Sequence, residues 1–379
     1  MSIPRGWKHL CLSALARLAA GRSKAYALEN GPPRRLLILR RDGIAEMLST
    51  LPLIWAIREE WPETRITVAT QEAGRAIARM CPAINEVRVF GRIDSRLRGF
   101  RAARKLRGFD VAIAAKSEYD HDLARLIRLT NAPLRIGFES APLMRTPLYF
   151  TATVDGARQA EARFQTLLRL AEPLGLTPPP IPRFDLEPGQ DALYKARNLT
   201  SPLTEPVGGK QQLTPYVAVN ISALSQRNWT PEQYADFLAG LAGDRRVPVA
   251  IVYRDRDEAV AQQLAHHVRT FAPVAVVPSR NAEELAAVLQ GAQLVFTPSH
   301  DVALLAAAVD VPTLILWWQG DFIKLGSPHP RHLFLRADED PGAATPTYAL
   351  NLMDELWNGD PANPPTPPPK SSPGDSHTA

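Results

Sequence analysis

The sequence predicts an α/β protein made of two doubly wound domains that face each other across a cleft. Three observations carry that expectation. Short aliphatic runs alternate with segments of helical period along most of the chain, the pattern of a parallel sheet with helices on both faces. The alternation comes as two sets, separated by loops around residues 178–182 and 201–214. The 379 residues suffice for two separate cores. Ligands of such folds sit outside the carboxyl ends of the strands, so the cleft is the default site.

In chain order, the first set opens with the aliphatic run 36–39, the charged turn Arg40-Arg41-Asp42-Gly43, and a helical pattern in which Ile44, Met47, Leu48, Leu51 and Trp55 recur at three- and four-residue steps. A strand over 65–69 leads to a helix over 72–80, and a strand over 86–90 to a basic helix near 95–107. A strand over 110–115 leads to a helix over 120–129, and a strand over 134–138 closes the set. The second set starts with a strand over 216–220 and a helix over 230–242, whose Thr230-Pro231 is a good start signal. Strands over 249–253, 274–277, 294–297 and 313–317 follow, separated by helical patterns, and the last helix covers 347–357. The expected domains are 31–190 and 191–358.

Residues 1–30 place Ile3, Trp7, Leu10, Cys11, Ala14, Leu15 and Leu18 on one helical face, with Lys8 and Arg17 elsewhere. A basic amphipathic helix lying on an anionic membrane fits that pattern, against a helix packed on the protein or a frayed tail. Residues 359–379, rich in Pro, Ser and Asp, are expected to be disordered.

The composition, 45% hydrophobic and 22% charged, is that of a soluble globular protein. No apolar run approaches the about 20 residues needed to span a bilayer. Two cysteines cannot build a disulfide framework and fit a reducing compartment. The net charge of +5 is concentrated in two stretches, Arg5 to Lys24 and Arg98 to Arg107. Such patches suit an anionic lipid or membrane surface, or are simply solvated helix faces; no nucleic-acid partner is expected.

Several familiar chemistries are missing. No GxGxxG follows Leu39, and Gly208-Gly209-Lys210 has Thr204 where the first glycine of a phosphate loop belongs. No serine sits in a GxSxG elbow, and no His or Cys pair has zinc-ligand spacing. Asp255-Arg256-Asp257 has a form that can hold a metal, but between a strand and a helix its acids read as caps, as do those of Asp120-His121-Asp122. Trp229 and Trp318 read as packing residues.

Four segments, in order and at matching spacing, carry a resemblance. They are LILRRDGIAEMLSTLP at 37–52, NISALSQRNWTPEQYADF at 220–237, the stretch 281–317 containing TPSHDVAL, and WWQGD at 317–321. Together, over roughly residues 34–358, the chain resembles glycosyltransferase family 9, the heptosyltransferases of lipopolysaccharide core synthesis. The resemblance implies a GT-B architecture in which the C-terminal domain binds a nucleotide-diphosphate sugar, typically ADP-heptose. The N-terminal domain would then bind an anionic glycolipid acceptor, and transfer would proceed with inversion, with no cofactor and no required metal. On the same ground Glu46 falls on the family's catalytic Asp, beside Arg40, Arg41 and Asp42. Ser222, Arg227, Ser299, His300, Asp301 and Asp321 fall on or next to family positions for substrate. The chemistry agrees, because a departing diphosphate needs positive charge or helix amides and the acceptor hydroxyl needs a carboxylate base.

The departures are specific. Ala45 replaces the glycine before the acid, and Glu46 is one methylene longer than Asp. In TPSHDVAL, Ser299 stands for the family's Asp, His300 for its Ser or Thr, Asp301 for its Gly and Leu304 for its His. Arg227 is one residue out of register with the family's Lys. Simpler roles exist: Glu46 as a first-turn acid, Arg40 and Arg41 as solvated turn residues, and Asp301 as N-cap of a helix over 302–309. The expectation is therefore an inverting glycosyltransferase in the cytoplasm, peripheral on the inner face of the inner membrane. The alternative is a non-catalytic GT-B protein that binds a glycolipid or a partner enzyme.

Overall fold

The computed structural model describes residues 31–358 apart from 92–101, 140–148, 157–160, 208–209, 222–228, 319–325, 327–328, 338–341 and 343. The expected helix over 1–30, the tail 359–379 and the first half of the expected basic helix lie outside the described residues.

The first sheet contains β1 (Arg35–Leu39), β2 (Arg65–Thr70), β3 (Glu86–Val89), β4 (Val111–Ala114), β5 (Leu134–Phe138) and β6 (Ala152–Val154). All are parallel, in the order β3-β2-β1-β4-β5-β6. Leu36, Leu37, Ile38 and Leu39 are all fully buried, which is why β1 reads as an unbroken aliphatic run: helices cover both faces of the sheet. The strand order reverses between β1 and β4, so the carboxyl end of β1 lies at the topological switch point. The helices of this half are α1 (Ile44–Leu48), α2 (Leu51–Glu60), α3 (Glu72–Met80), α4 (His121–Thr130), α5 (Arg163–Leu168) and α6 (Gln190–Leu199).

The structure departs from two expectations. The helix expected to run on from Ile44 is two helices. Ser49 Oγ donates to Ala45 O at 2.8 Å and Thr50 Oγ1 to Glu46 O at 2.9 Å, while Pro52, at the start of α2, has no N–H to return to Leu48. Residues 134–138 also do not close the sheet, because the three-residue β6 adds an edge strand too short to show periodicity.

The second half starts with an antiparallel hairpin, β7 (Thr204–Val207) and β8 (Lys210–Leu213), in which Val207 pairs with Lys210. The second sheet contains β9 (Val217–Asn220), β10 (Val249–Tyr253), β11 (Val274–Pro278), β12 (Leu294–Thr297), β13 (Thr313–Trp317) and β14 (His332–Arg336). It repeats the first: parallel throughout, in the order β11-β10-β9-β12-β13-β14. Its helices are α7 (Pro231–Ala239), α8 (Glu258–Val268), α9 (Ala282–Gln290), α10 (His300–Ala308) and α11 (Pro346–Asn358). Thr230 caps α7 as expected, with Gln233 N–H donating to its Oγ1 at 3.4 Å.

The halves are packed together. Helix α10 rests on α1 and α9 on α3, and one apolar core runs through Met47, Leu51, Ile77, Leu289 and Leu305. The connecting chain ties into both: Leu186 N–H donates to Ala308 O and Glu187 N–H to Met80 O, each at 2.8 Å. Two Rossmann-like sheets are thereby joined with the helix starts that follow β1 and β12 next to each other.

Candidate active site

The site begins where β1 runs out. Arg40 is 2% exposed, so the solvated-turn alternative fails for it. Its guanidinium donates to Ala115 O, and its backbone N–H to Ala69 O at 2.9 Å, bracing the ends of β1, β2 and β4. Burial lowers its pKa to about 10, against the raising effect of the Asp42 and Glu46 carboxylates, while Arg163 acts with burial.

Arg41 is partly exposed and reaches sideways, its Nη1 3.2 Å from both oxygens of Asp120 and 3.5 Å from Asp122. Asp42 has φ +86, a left-handed conformation costly for a residue with a Cβ. It is held there by its N–H to Gln71 Oε1 at 3.2 Å and by its carboxylate 3.6 Å from Lys116 Nζ. The turn redirects the chain so that α1 opens over the cleft. Asp120 is the N-cap of α4, as expected, accepting from Leu123 N–H at 2.9 Å and pairing with Lys116 at 3.0 Å. Burial works to raise its pKa, but the Leu123 amide, Lys116 and Arg41 outweigh it and hold the carboxyl below its ordinary range.

Glu46 is the third residue of α1. Its Oε2 accepts from Gly43 N–H at 3.0 Å, and its Oε1 lies 3.4 Å from Arg163 Nη1 at the start of α5. The side chain keeps 29% of its surface exposed. A first-turn acid and a cleft carboxylate are thus the same residue in two capacities. A Cβ at Gly43 would stand 2.9 Å from Glu46 Oε2, so a larger residue there would push the carboxylate aside.

Across the cleft, β12 ends at Thr297, whose Oγ1 donates to Asn220 Oδ1 at 3.2 Å and accepts from Ser299 N–H at 2.9 Å. Helix α10 starts at His300 with Ser299 as N-cap, so Asp301 is not the cap; it is the second helical residue. Asp301 is half-buried. Burial raises its pKa above the ordinary value, and Glu46 raises it further, while His300 and Arg254 act in the opposite direction. Two carboxylates, one on the helix after β1 and one on the helix after β12, are therefore near enough for Glu46 to act on Asp301 through its charge.

The structure brings Arg40, Glu46 and Asp301 together and sets Arg41 and Asp42 in the flanking network. Ser222, Arg227 and Asp321 lie outside the described residues. Sequence reasoning missed Arg163, Arg254 and Lys116. Arg254 follows β10 as Arg40 follows β1, a signal that was available; Arg163 follows no strand and is placed by packing alone. Asp255 pairs with Arg280 at 2.6 Å, and Asp257 occupies the N-cap position of α8 without a side-chain capping bond. Among the described residues no group of three or more His, Cys, Asp or Glu is placed to hold a metal ion. Trp229 is a packing residue as expected, stacked on Phe296 at 4.8 Å with its Nε1 donating to Ala344 O.

A sequence model of glycosyltransferase family 9 (heptosyltransferase) matches residues 100–341. No curated protein matches the chain. Among solved structures, a family 9 glycosyltransferase from Veillonella parvula superposes with a TM-score of 0.71 at 17% identity, over 86% of this chain and 97% of that one. The E. coli heptosyltransferase WaaC with ADP superposes with a TM-score of 0.62 at 20% identity, over 85% and 97%. E. coli ADP-heptose lipopolysaccharide heptosyltransferase II gives 0.65 at 14% identity, over 85% and 98%. At such identities the likeness speaks for the fold, which is GT-B, and the family model covers well over half of the sequence. The chain belongs to glycosyltransferase family 9, the heptosyltransferase family.

Proposed function

We propose that the protein transfers a heptose or related sugar from a nucleotide-diphosphate sugar, ADP-linked, to an anionic lipopolysaccharide core acceptor, with Glu46 as general base. The observation that carries this reading is the position of Glu46: partly exposed, at the carboxyl end of β1, facing the first turn of α10 from the other sheet. An acceptor held by the first half and a donor held by the second would meet there. Glu46 takes the proton of the acceptor hydroxyl as that oxygen bonds to the anomeric carbon from the face opposite the leaving group. The bond from carbon to the diphosphate oxygen breaks, the electron pair departs on the diphosphate, and the configuration inverts. WaaC, a structural relative, has been seen with ADP and with ADP-2-deoxy-2-fluoro heptose, which supports the donor class. We place the reaction at the inner face of the inner membrane, where residues 1–30 would lie on the anionic surface. Mass spectrometry of core oligosaccharide from a strain lacking the gene tests this; loss of one sugar is expected, and an unchanged core would sink it.

One observation favours a second reading, a non-catalytic protein that binds a glycolipid or partner enzyme. Asp301 puts a carboxylate on the first turn of α10, beside Glu46, where a donor diphosphate would approach. Calorimetry with ADP and ADP-sugars separates the two: no binding at millimolar ligand leaves only the second.

A further inference from the structure

We propose that Arg163 is the positioning residue for transfer: it and the Gly43 amide hold opposite oxygens of Glu46 and so fix the direction of the carboxylate's free lone pairs. The inference rests on Glu46 being the base. A glutamate has three side-chain torsions and points in many directions unless it is held at its end. Here Oε2 is held by Gly43 N–H at 3.0 Å and Oε1 faces Arg163 Nη1 at 3.4 Å. What remains open on the carboxylate is the exposed part of its surface.

The two grips come from separate parts of the first half. Gly43 belongs to the turn after β1. Arg163 is the first residue of α5, a helix anchored against α2 by Phe164, Leu167 and Leu168, all buried. Gln165 Oε1 accepts from Ala162 N–H at 2.9 Å and orders the turn from which Arg163 projects. Arg40, whose charge also acts with Glu46, is buried and its Nη1 is engaged with Ala115 O, and no hydrogen bond or ion pair joins it to Glu46 among the described residues. Arg163 also sets a positive charge 3.4 Å from Glu46 Oε1, opposite in sign to that of the Asp301 carboxylate on the neighbouring helix α10.

The test is a double-mutant cycle on the full chain: Glu46→Gln, Arg163→Met and the double variant, with Arg163→Lys as the conservative change. ADP-heptose and heptose-free core lipopolysaccharide serve as substrates, and kcat and both KM values are measured. Arg163→Met should lower kcat roughly ten- to hundredfold with both KM values within about twofold, the scale of a misplaced catalytic group. Arg163→Lys should recover most of the loss. The double variant should be no slower than Glu46→Gln, because Arg163 acts only through that carboxylate. Unchanged kcat in Arg163→Met overturns the proposal. So does a raised KM at constant kcat, which would make Arg163 a substrate contact, or a double variant whose losses multiply. If Arg163→Met melts early, Arg163→Gln replaces it in the cycle. A fully active Glu46→Gln, or a wild-type chain inert toward this pair, removes the base reading and this inference together. A crippled Glu46→Gln with an unaffected or multiplicative Arg163→Met removes this inference alone.

Discussion

Glu46 and Asp301 stand on two helices packed against each other, α1 and α10, and Asp301 feels the charge of Glu46. Glu46→Gln keeps the shape and can still accept the Gly43 N–H bond, so it should fold normally and lose at least ~10²-fold in transfer rate. Near-normal turnover in a sugar-transfer assay would make Glu46 structural. Asp301 makes no capping hydrogen bond, so Asp301→Gly removes a negative charge from the first turn of α10 without removing a cap. It should tighten ADP binding. The pH dependence has a definite sign: burial raises the Asp301 pKa, so acidification neutralises it at a higher pH than an ordinary aspartate and should likewise tighten ADP. Calorimetry on both proteins at pH 8 and at mildly acidic pH approaching the carboxylate range checks this; tight binding at pH 8 that Asp301→Gly leaves unchanged would show that Asp301 does not oppose the donor.

At the scale of elements, the turn after β1 depends on α4. Asp120 caps α4 and gathers Arg41 and Lys116, which in turn steady Asp42. Asp120→Ala should cost about 1–2 kcal/mol in urea unfolding, the usual loss for an N-cap. Its carboxyl is held below the ordinary value in the folded state. That contribution is therefore complete above about pH 4 and is lost as pH falls through the lowered value. The acid arm of the stability curve should be shallower in Asp120→Ala; identical arms in the two proteins would exclude the linkage. Most elements were legible because periodicity survives where a helix or strand is long and half-covered. Strands 134–138, 249–253, 294–297 and 313–317 and the helix over 72–80 have the expected limits. β6 and α5 escaped because three and six residues are too few to show a period, and the break between α1 and α2 because Ser49 and Thr50 compete for carbonyls inside an apolar pattern.

The whole molecule is two copies of one topology sharing a core across α1, α3, α9 and α10. Among the described residues no helix is long and apolar enough to cross a membrane. Removal of residues 1–30 should leave the fold of 31–358 intact and weaken sedimentation with anionic vesicles, and added salt should weaken the binding of the intact chain. Equal sedimentation of both proteins would dispose of that membrane contact. By itself the sequence determined the parallel-sheet class, the two sets of strands, the family resemblance and the acid after β1. These are written in local periodicity, in turn residues and in short ordered motifs. Only the tertiary structure decided that Arg40 is buried, that Asp301 lies on a helix packed against that of Glu46 without being its cap, and that Arg163 reaches Glu46 from 117 positions away. Those facts depend on which elements pack together, and no short stretch of sequence contains that information.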